Sequence, residues 1–261
     1  MSLPPATPLH LLIAFAAAFV AAAINSVAGG GTLVSFPVLV GLGLPPMIAN
    51  ATSTVGIWPG SLGSIWGFRK ELGHTERQMR WLVVPCLLGG MAGALLLRGT
   101  SEAAFSKLVP FLVLFATVLF AVRAKVQAWL RERTVLRDNG RSKLPLGIAL
   151  TFSVGVYGGY FGAGMSIMNL SVLGVLGLVD LLEMNALTSL FSLAVNGTAI
   201  ALFAAVGLVA WPTALAMASG ALLGGYGAAG LAKRIGRKIL GGLVIAIGLT
   251  VSLVFFVRLL G

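Results

Sequence analysis

The chain has 261 residues, of which 58% are hydrophobic and 10% charged, and its mean hydropathy is +1.00. A soluble domain carries about 25% charged residues, so a water-facing surface of this size cannot be covered and the solvent is lipid. The net charge of +11 does not mark a nucleic-acid binder, because the basic residues sit in short clusters between apolar runs, as they do in cytoplasmic loops.

In chain order, the apolar stretches predict helices over 9–28, 32–43, 47–67, 79–97, 105–124, 145–161, 164–178, 184–206, 210–231 and 238–258. No Lys or Arg precedes the first, and it belongs to a repeat, so it reads as a span and not as a cleaved leader. The segments 32–43 and 164–178 are short against the roughly 20 residues of a full span. They read as half-helices, and whether they cross or are re-entrant is left open. Short loops join everything into a single transmembrane domain over 1–261. Cys86, the only cysteine, excludes an intrachain disulfide and a cysteine-based metal site.

Charge sets the expected topology. Residues 68–80, 122–143 and 232–238 hold four, seven and four Lys or Arg, leaving only Arg98, Lys107 and Arg258 elsewhere. The positive-inside rule places the three clusters in the cytoplasm and 98–107 outside. Both termini are then expected outside the bacterial cytoplasmic (inner) membrane.

The chain also repeats itself. NATSTVGIW (50–58) resembles NALTSLFSL (185–193), CLLGGMAGALLLR (86–98) resembles ALLGGYGAAGLAK (221–233), and GGGT (29–32) aligns with GAGM (162–165). The repeats run from about 5–135 and 140–261. The basic loop at 68–80 corresponds to the uncharged 207–210, whereas the sparse 98–107 corresponds to the basic 232–238. A charge bias that swaps between halves is the mark of inverted-topology repeats, an architecture of secondary transporters. The fold class expected is an all-α polytopic membrane protein with two inverted repeats of about five helical elements, broken at glycine-rich positions.

The breaks, AGGGT (28–32) and GGYFGAG (158–164), occupy matched positions before the two short segments. Glycines cost a helix roughly 1 kcal/mol each, and close packing is their ordinary role in membrane helices. Before half-helices they have another use. The first amides of a helix lack internal partners and its N-terminus carries about half a positive charge, so two facing half-helices make an anion site without a charged side chain. Candidate substrate-binding residues are Asn25, Ser26, Gly29, Gly30, Gly31 and Thr32 at the first break, and Tyr157, Tyr160, Gly162 and Gly164 at the second. Asn50, Thr52 and Ser53 open one following helix, and Asn185, Thr188 and Ser189 open its counterpart, positions where such residues also serve as caps. No cation is expected beside the breaks.

These motifs carry a resemblance. NSVAGGGTLVSFPVLVGLGLPP followed by NATSTV, with the later GVYGGYFGAGMSIMNLSVL and EMNALTSL, resembles the sulfite exporter TauE/SafE family of membrane permeases over essentially the whole chain. The resemblance implies a small anionic substrate such as sulfite or an organosulfonate like sulfoacetate, and most often export. The second break departs from the first, with Ala163 and Met165 in place of Gly30 and Thr32, so the halves are expected to contribute unequally.

Other classes fit less well. An enzyme needs a base, nucleophile or metal cluster, and no acid falls in a predicted span. Asp180 and Glu183 read as a helix-start pair. A metal carrier needs carboxylate, His or Cys ligands in the spans. An anion channel of the same fold, or a transporter of another small solute, stays open. No cofactor or metal is expected, the lipid bilayer is the obligatory partner, and homodimer formation is left open.

Overall fold

The computed structural model describes residues 7–27, 30–132, 144–178, 180–227 and 237–260. Gly29, residues 133–143 of the second basic cluster and residues 232–236 of the third lie outside the described residues. Twelve helices are described, and no strand is found among these residues: α1 (Pro8–Val27), α2 (Thr32–Gly41), α3 (Pro46–Gly67), α4 (Arg69–His74), α5 (Arg77–Trp81), α6 (Val83–Gly99), α7 (Glu102–Glu132), α8 (Leu144–Tyr160), α9 (Met165–Val175), α10 (Leu181–Ala205), α11 (Trp211–Gly227) and α12 (Arg237–Leu260). Among the described residues, four stretches are long and apolar enough to cross a membrane, namely Pro8–Asn25, Arg77–Gly99, Glu102–Val126 and Leu182–Ala205. The protein is an all-α polytopic membrane protein.

Two boundaries differ from the sequence-based expectation. Residues 68–80 hold the short helices α4 and α5, and α7 runs on to Glu132, into the second basic cluster. Charge ends a lipid span without ending a helix, because Lys, Arg, Gln and Glu are good helix formers.

The burial pattern suits a lipid solvent. Leu9, Leu12, Leu96, Phe111, Val118, Leu215 and Leu253 are exposed, while Ser35, Asn50, Thr52, Ser53, Thr151 and Asn169 are buried. Apolar groups outside and polar groups inside would be unfavourable in water; in a bilayer the buried polar groups mark the working interior.

The packing has a paired pattern. α6 lies along α8 and α1 along α11; α3 packs on α11 and α6 on α10; α2 touches α1, α3 and α12, while α9 touches α8, α10 and α7. α7 runs beside α12, and α3 crosses α10. Exchanging α1, α2, α3, α6 and α7 for α8 to α12 in order maps this set of pairings onto itself. The correspondence reaches single atoms. A side chain at Gly89 would overlap the Phe152 carbonyl oxygen, and one at Gly224, 135 residues later, would overlap that of Phe19, 133 residues before Phe152. At the α3–α10 crossing, the Trp58 indole donates to the carbonyl of Leu193, its own repeat counterpart, at 3.3 Å.

The tightest seam is α6 on α8. Cβ atoms at Gly89, Gly93, Gly155 and Gly159 would strike the backbone carbonyls of Phe152, Val156, Cys86 and Gly90 respectively. Small residues four apart let two membrane helices meet backbone to backbone, where dispersion replaces the hydrophobic driving force that lipid removes.

The starts of α3 and α10 are capped alike. The Met47 amide donates to Glu102 Oε1 at 3.1 Å, and the Leu182 amide donates to Asp180 Oδ1 at 2.7 Å. Met47 and Leu182 lie 135 residues apart, the offset read between the two halves, and a carboxylate meets the amide at each, from α7 in one case and locally in the other. This places Asp180 as the helix-start charge expected of it.

Candidate substrate site

Each break is a tight turn between a long and a short helix. At the first, Gly30 has φ +85°, a region that disfavours residues with a Cβ, and the added carbon would lie 2.6 Å from the Phe120 ring. The Gly31 amide donates to Asn25 Oδ1 at 2.7 Å, and a Cβ on Gly31 would run into the Ala21 carbonyl of α1. The Leu33 and Val34 amides donate to the Gly30 and Gly31 carbonyls at 3.0 and 2.9 Å. Three amides at this helix start thus have partners inside the break, and the amide cradle is narrower than the glycine run suggests. The side chain of Ser26 lies outside the described residues. Thr32 begins α2 and is half-buried.

At the second break Gly162 and Gly164 have φ +79° and +82°. The Tyr157 hydroxyl donates to the Ala163 carbonyl at 2.6 Å and so fixes the turn. The Tyr160 hydroxyl lies 3.4 Å from Thr100 Oγ1, and its ring meets Phe105 edge-on. The two breaks flank a single turn of α7: Phe120 covers Gly30, while Ala116 and Leu119 lie against Gly164.

Asn50 joins the halves. Its Nδ2 donates to the Tyr160 carbonyl at 3.1 Å, so a residue of α3 holds the end of α8. That bond orients the amide and leaves Oδ1 buried without a partner. A buried unpartnered acceptor costs about 1–3 kcal/mol.

The remaining candidates divide. Ser53 Oγ lies 2.7 Å from Ser35 Oγ, tying α3 to α2. Thr52 is directed away from the breaks, its Oγ1 accepting from the Ala210 amide at 3.0 Å at the start of α11. Ser189 donates to the Asn185 carbonyl at 2.9 Å, one turn back in its own helix. Thr188 Oγ1 is buried without a partner.

The structure also adds residues. Ser35 and Phe120 are site neighbours by the contacts above. The Arg123 guanidinium stacks 4.2 Å from the centre of the Phe120 ring, so a cation stands one ring away from the first break. This corrects the expectation of none. The signal was present, since FAVR (120–123) returns as FFVR (255–258), 135 residues later. A cavity of about 660 Å³ at the starts of α6 and α8, lined by Arg77, Trp81 and Leu144 among others, is apolar and touches neither break.

Residues 14–255 match the family described as Sulfite exporter TauE/SafE. The chain belongs to this family. Its TauE/SafE relatives include the "Probable membrane transporter protein" of Haemophilus influenzae, 28% identical over 236 residues that cover 90% of each chain. The "Probable membrane transporter protein YfcA" of Escherichia coli strain K12 is 28% identical over 94% of this chain and 89% of its own. The "Probable membrane transporter protein ORF9" of a Sinorhizobium species is 24% identical over 94% and 92%. No solved structure matches the chain. As a TauE/SafE protein the molecule is a membrane transporter and not an enzyme.

Proposed function

We propose that the protein binds a small sulfur-containing anion, sulfite or an organosulfonate such as sulfoacetate, between the two glycine breaks and exports it by alternating access. The observation that carries this reading is the convergence of both breaks on one turn of α7, with Asn50 of the first half bonded to Tyr160 of the second. Broken helices that meet in the interior are where transporters of this architecture hold their substrate. The exchangeable packing of the two halves and the swapped basic loops support an inverted repeat, with rocking of one half against the other as the transport step. The family description supports sulfite as the first ligand to try.

The electrostatics favour an anion moving outward. Arg123 beside the first break adds positive potential on the side that carries the basic clusters. A cavity of about 460 Å³ between the α2–α3 turn, the start of α7 and the end of α12 includes Lys107 and Ser106, and lies on the side assigned outside. An inside-negative potential expels an anion with about 2.3 kcal/mol per charge per 100 mV.

Thermal melting of the purified protein against sulfite, sulfate, thiosulfate, sulfoacetate, taurine and chloride tests the ligand class. A ligand at 100 times its Kd stabilises the folded state by about 2.7 kcal/mol. The expected result is a raised Tm with one or two sulfur anions and none with chloride. A flat panel from folded protein contradicts the reading.

A further inference from the structure

The interior holds a second group of polar atoms that the glycine breaks do not explain. Asn169 on α9 is fully buried, and neither its Oδ1 nor its Nδ2 has a partner. Thr188 and Ser192 on α10 are likewise buried at their hydroxyls and unpartnered. Other buried hydroxyls in the bundle, such as those of Thr117, Thr151 and Ser252, return to a carbonyl of their own helix at 2.7 to 2.8 Å. The three exceptions therefore stand out against a background in which such groups satisfy themselves.

They also lie at one level of the bundle. α9 and α10 pack against each other with a short turn between them. Asn169 shares a helical stripe with Met165, Val172 and Leu173, and Thr188 shares one with Met184, Phe191 and Val195; these apolar neighbours form one cluster. Near one end of that hairpin, a Cβ on Gly158 would touch both Met165 and Val195. Counting back along both helices from that level brings Asn169 opposite residues 188–192. The expected repeat lets the first half be compared. There Ser35 of α2 meets Ser53 of α3 at 2.7 Å, and their repeat counterparts are Met168 and Thr188. The first half closes its polar pair, whereas the second replaces one partner with methionine and sets an asparagine beside it.

We infer that Asn169, Thr188 and Ser192 are the neutral donors that take the oxygens of the bound oxyanion, so that the second half supplies most of the substrate's hydrogen bonds. The inference rests on the anion-transport reading above. An amide NH2 and two hydroxyls offer four donor hydrogens, in surroundings where a hydrogen bond to a charged group is strengthened by the low dielectric. They carry no charge, so the anion is released without breaking an ion pair. Without substrate the group destabilises the fold, as a binding site does when it is built for a ligand and not for stability.

The test is sulfite binding, read by thermal shift and by titration, for Asn169→Leu, Thr188→Val and Ser192→Ala, with Thr151→Val as a control whose hydroxyl is already satisfied. Each of the three is expected to weaken sulfite binding about tenfold or more, while the melt without sulfite stays level or rises because an unsatisfied group has been removed. The control keeps its affinity. Thr188→Val and Ser192→Ala are close in size to the native residues, so they decide the matter even where Asn169→Leu does not fold. Sulfite binding unchanged in folded Thr188→Val and Ser192→Ala overturns this assignment while leaving the anion reading intact. A wild-type protein that answers to no sulfur anion overturns the anion reading and this assignment with it.

Discussion

Gly159→Leu is expected to remove most of the folded protein. A Cβ at this position would overlap the carbonyl of Gly90 on α6 and come within 3.0 Å of its Cα. Backbone cannot swing aside as a side chain can, so α6 and α8 must part along their length. Overpacking of a yielding core costs about 1–3 kcal/mol; here the seam also includes Gly89, Gly93 and Gly155, and its separation forfeits dispersion along several turns. Folded proteins hold only about 5–15 kcal/mol in reserve. Size-exclusion chromatography after detergent extraction reads the outcome, with Gly63→Leu as the control because nothing lies within 4 Å of its Cβ. Recovery of monodisperse Gly159→Leu at the level of the control would show that the α6–α8 seam does not limit folding.

Asn50→Leu is expected to give the opposite profile, a folded protein that no longer transports. The substitution removes the donor to the Tyr160 carbonyl, leaving that oxygen unsatisfied, but it also removes the unpartnered Oδ1. One buried orphan replaces another, each worth about 1–3 kcal/mol, so the net change in stability is small. Function has no such compensation. The end of α8, which leads into the second break, loses its tie to α3. Sulfite flux in proteoliposomes should fall by about tenfold or more, with Tm within a few degrees of the parent. Wild-type flux through Asn50→Leu would remove Asn50 from the site and weaken the case for the breaks as the binding region.

Much of the fold was legible because hydropathy and helix periodicity answer the same constraint in lipid, where every backbone amide has to be satisfied internally. The half-helices read at 32–43 and 164–178 are α2 at Thr32–Gly41 and α9 at Met165–Val175. The hydropathy reading missed α4 and α5 because it reports crossing and not helicity. The two breaks were legible as turns between a long and a short helix, since glycine admits the positive φ found at Gly30, Gly162 and Gly164. Side-chain direction was not legible. Thr52 and Ser53 are adjacent in sequence, yet one accepts from α11 and the other pairs with α2, a difference that only the packing of distant helices decides. Asn169 was visible as a single amide in an apolar run, but its lack of a partner is a property of the assembled bundle.

The glycines of the first break now have two reasons to be there. Gly31 admits α1 at close range and Gly30 turns the chain under Phe120. A bulky residue at Gly31 would therefore disturb α1 whatever it does to the proposed ligand, which makes Asn50 the cleaner probe of binding. The resident Arg123 changes the electrostatic account in a similar way. The first break lies one ring away from a cation held against an aromatic face, so the proposed anion site does not rest on helix ends alone.

Counterflow of labelled sulfite in proteoliposomes tests the central claim most directly. Vesicles loaded with unlabelled sulfite are diluted into a trace of labelled sulfite, with the membrane potential clamped to zero. An alternating-access carrier exchanges the two, so the account expects label to rise transiently above its equilibrium level inside and to do so far less with Asn50→Leu. Label that climbs to equilibrium without an overshoot, at a rate proportional to concentration, would contradict alternating access and describe an anion channel instead.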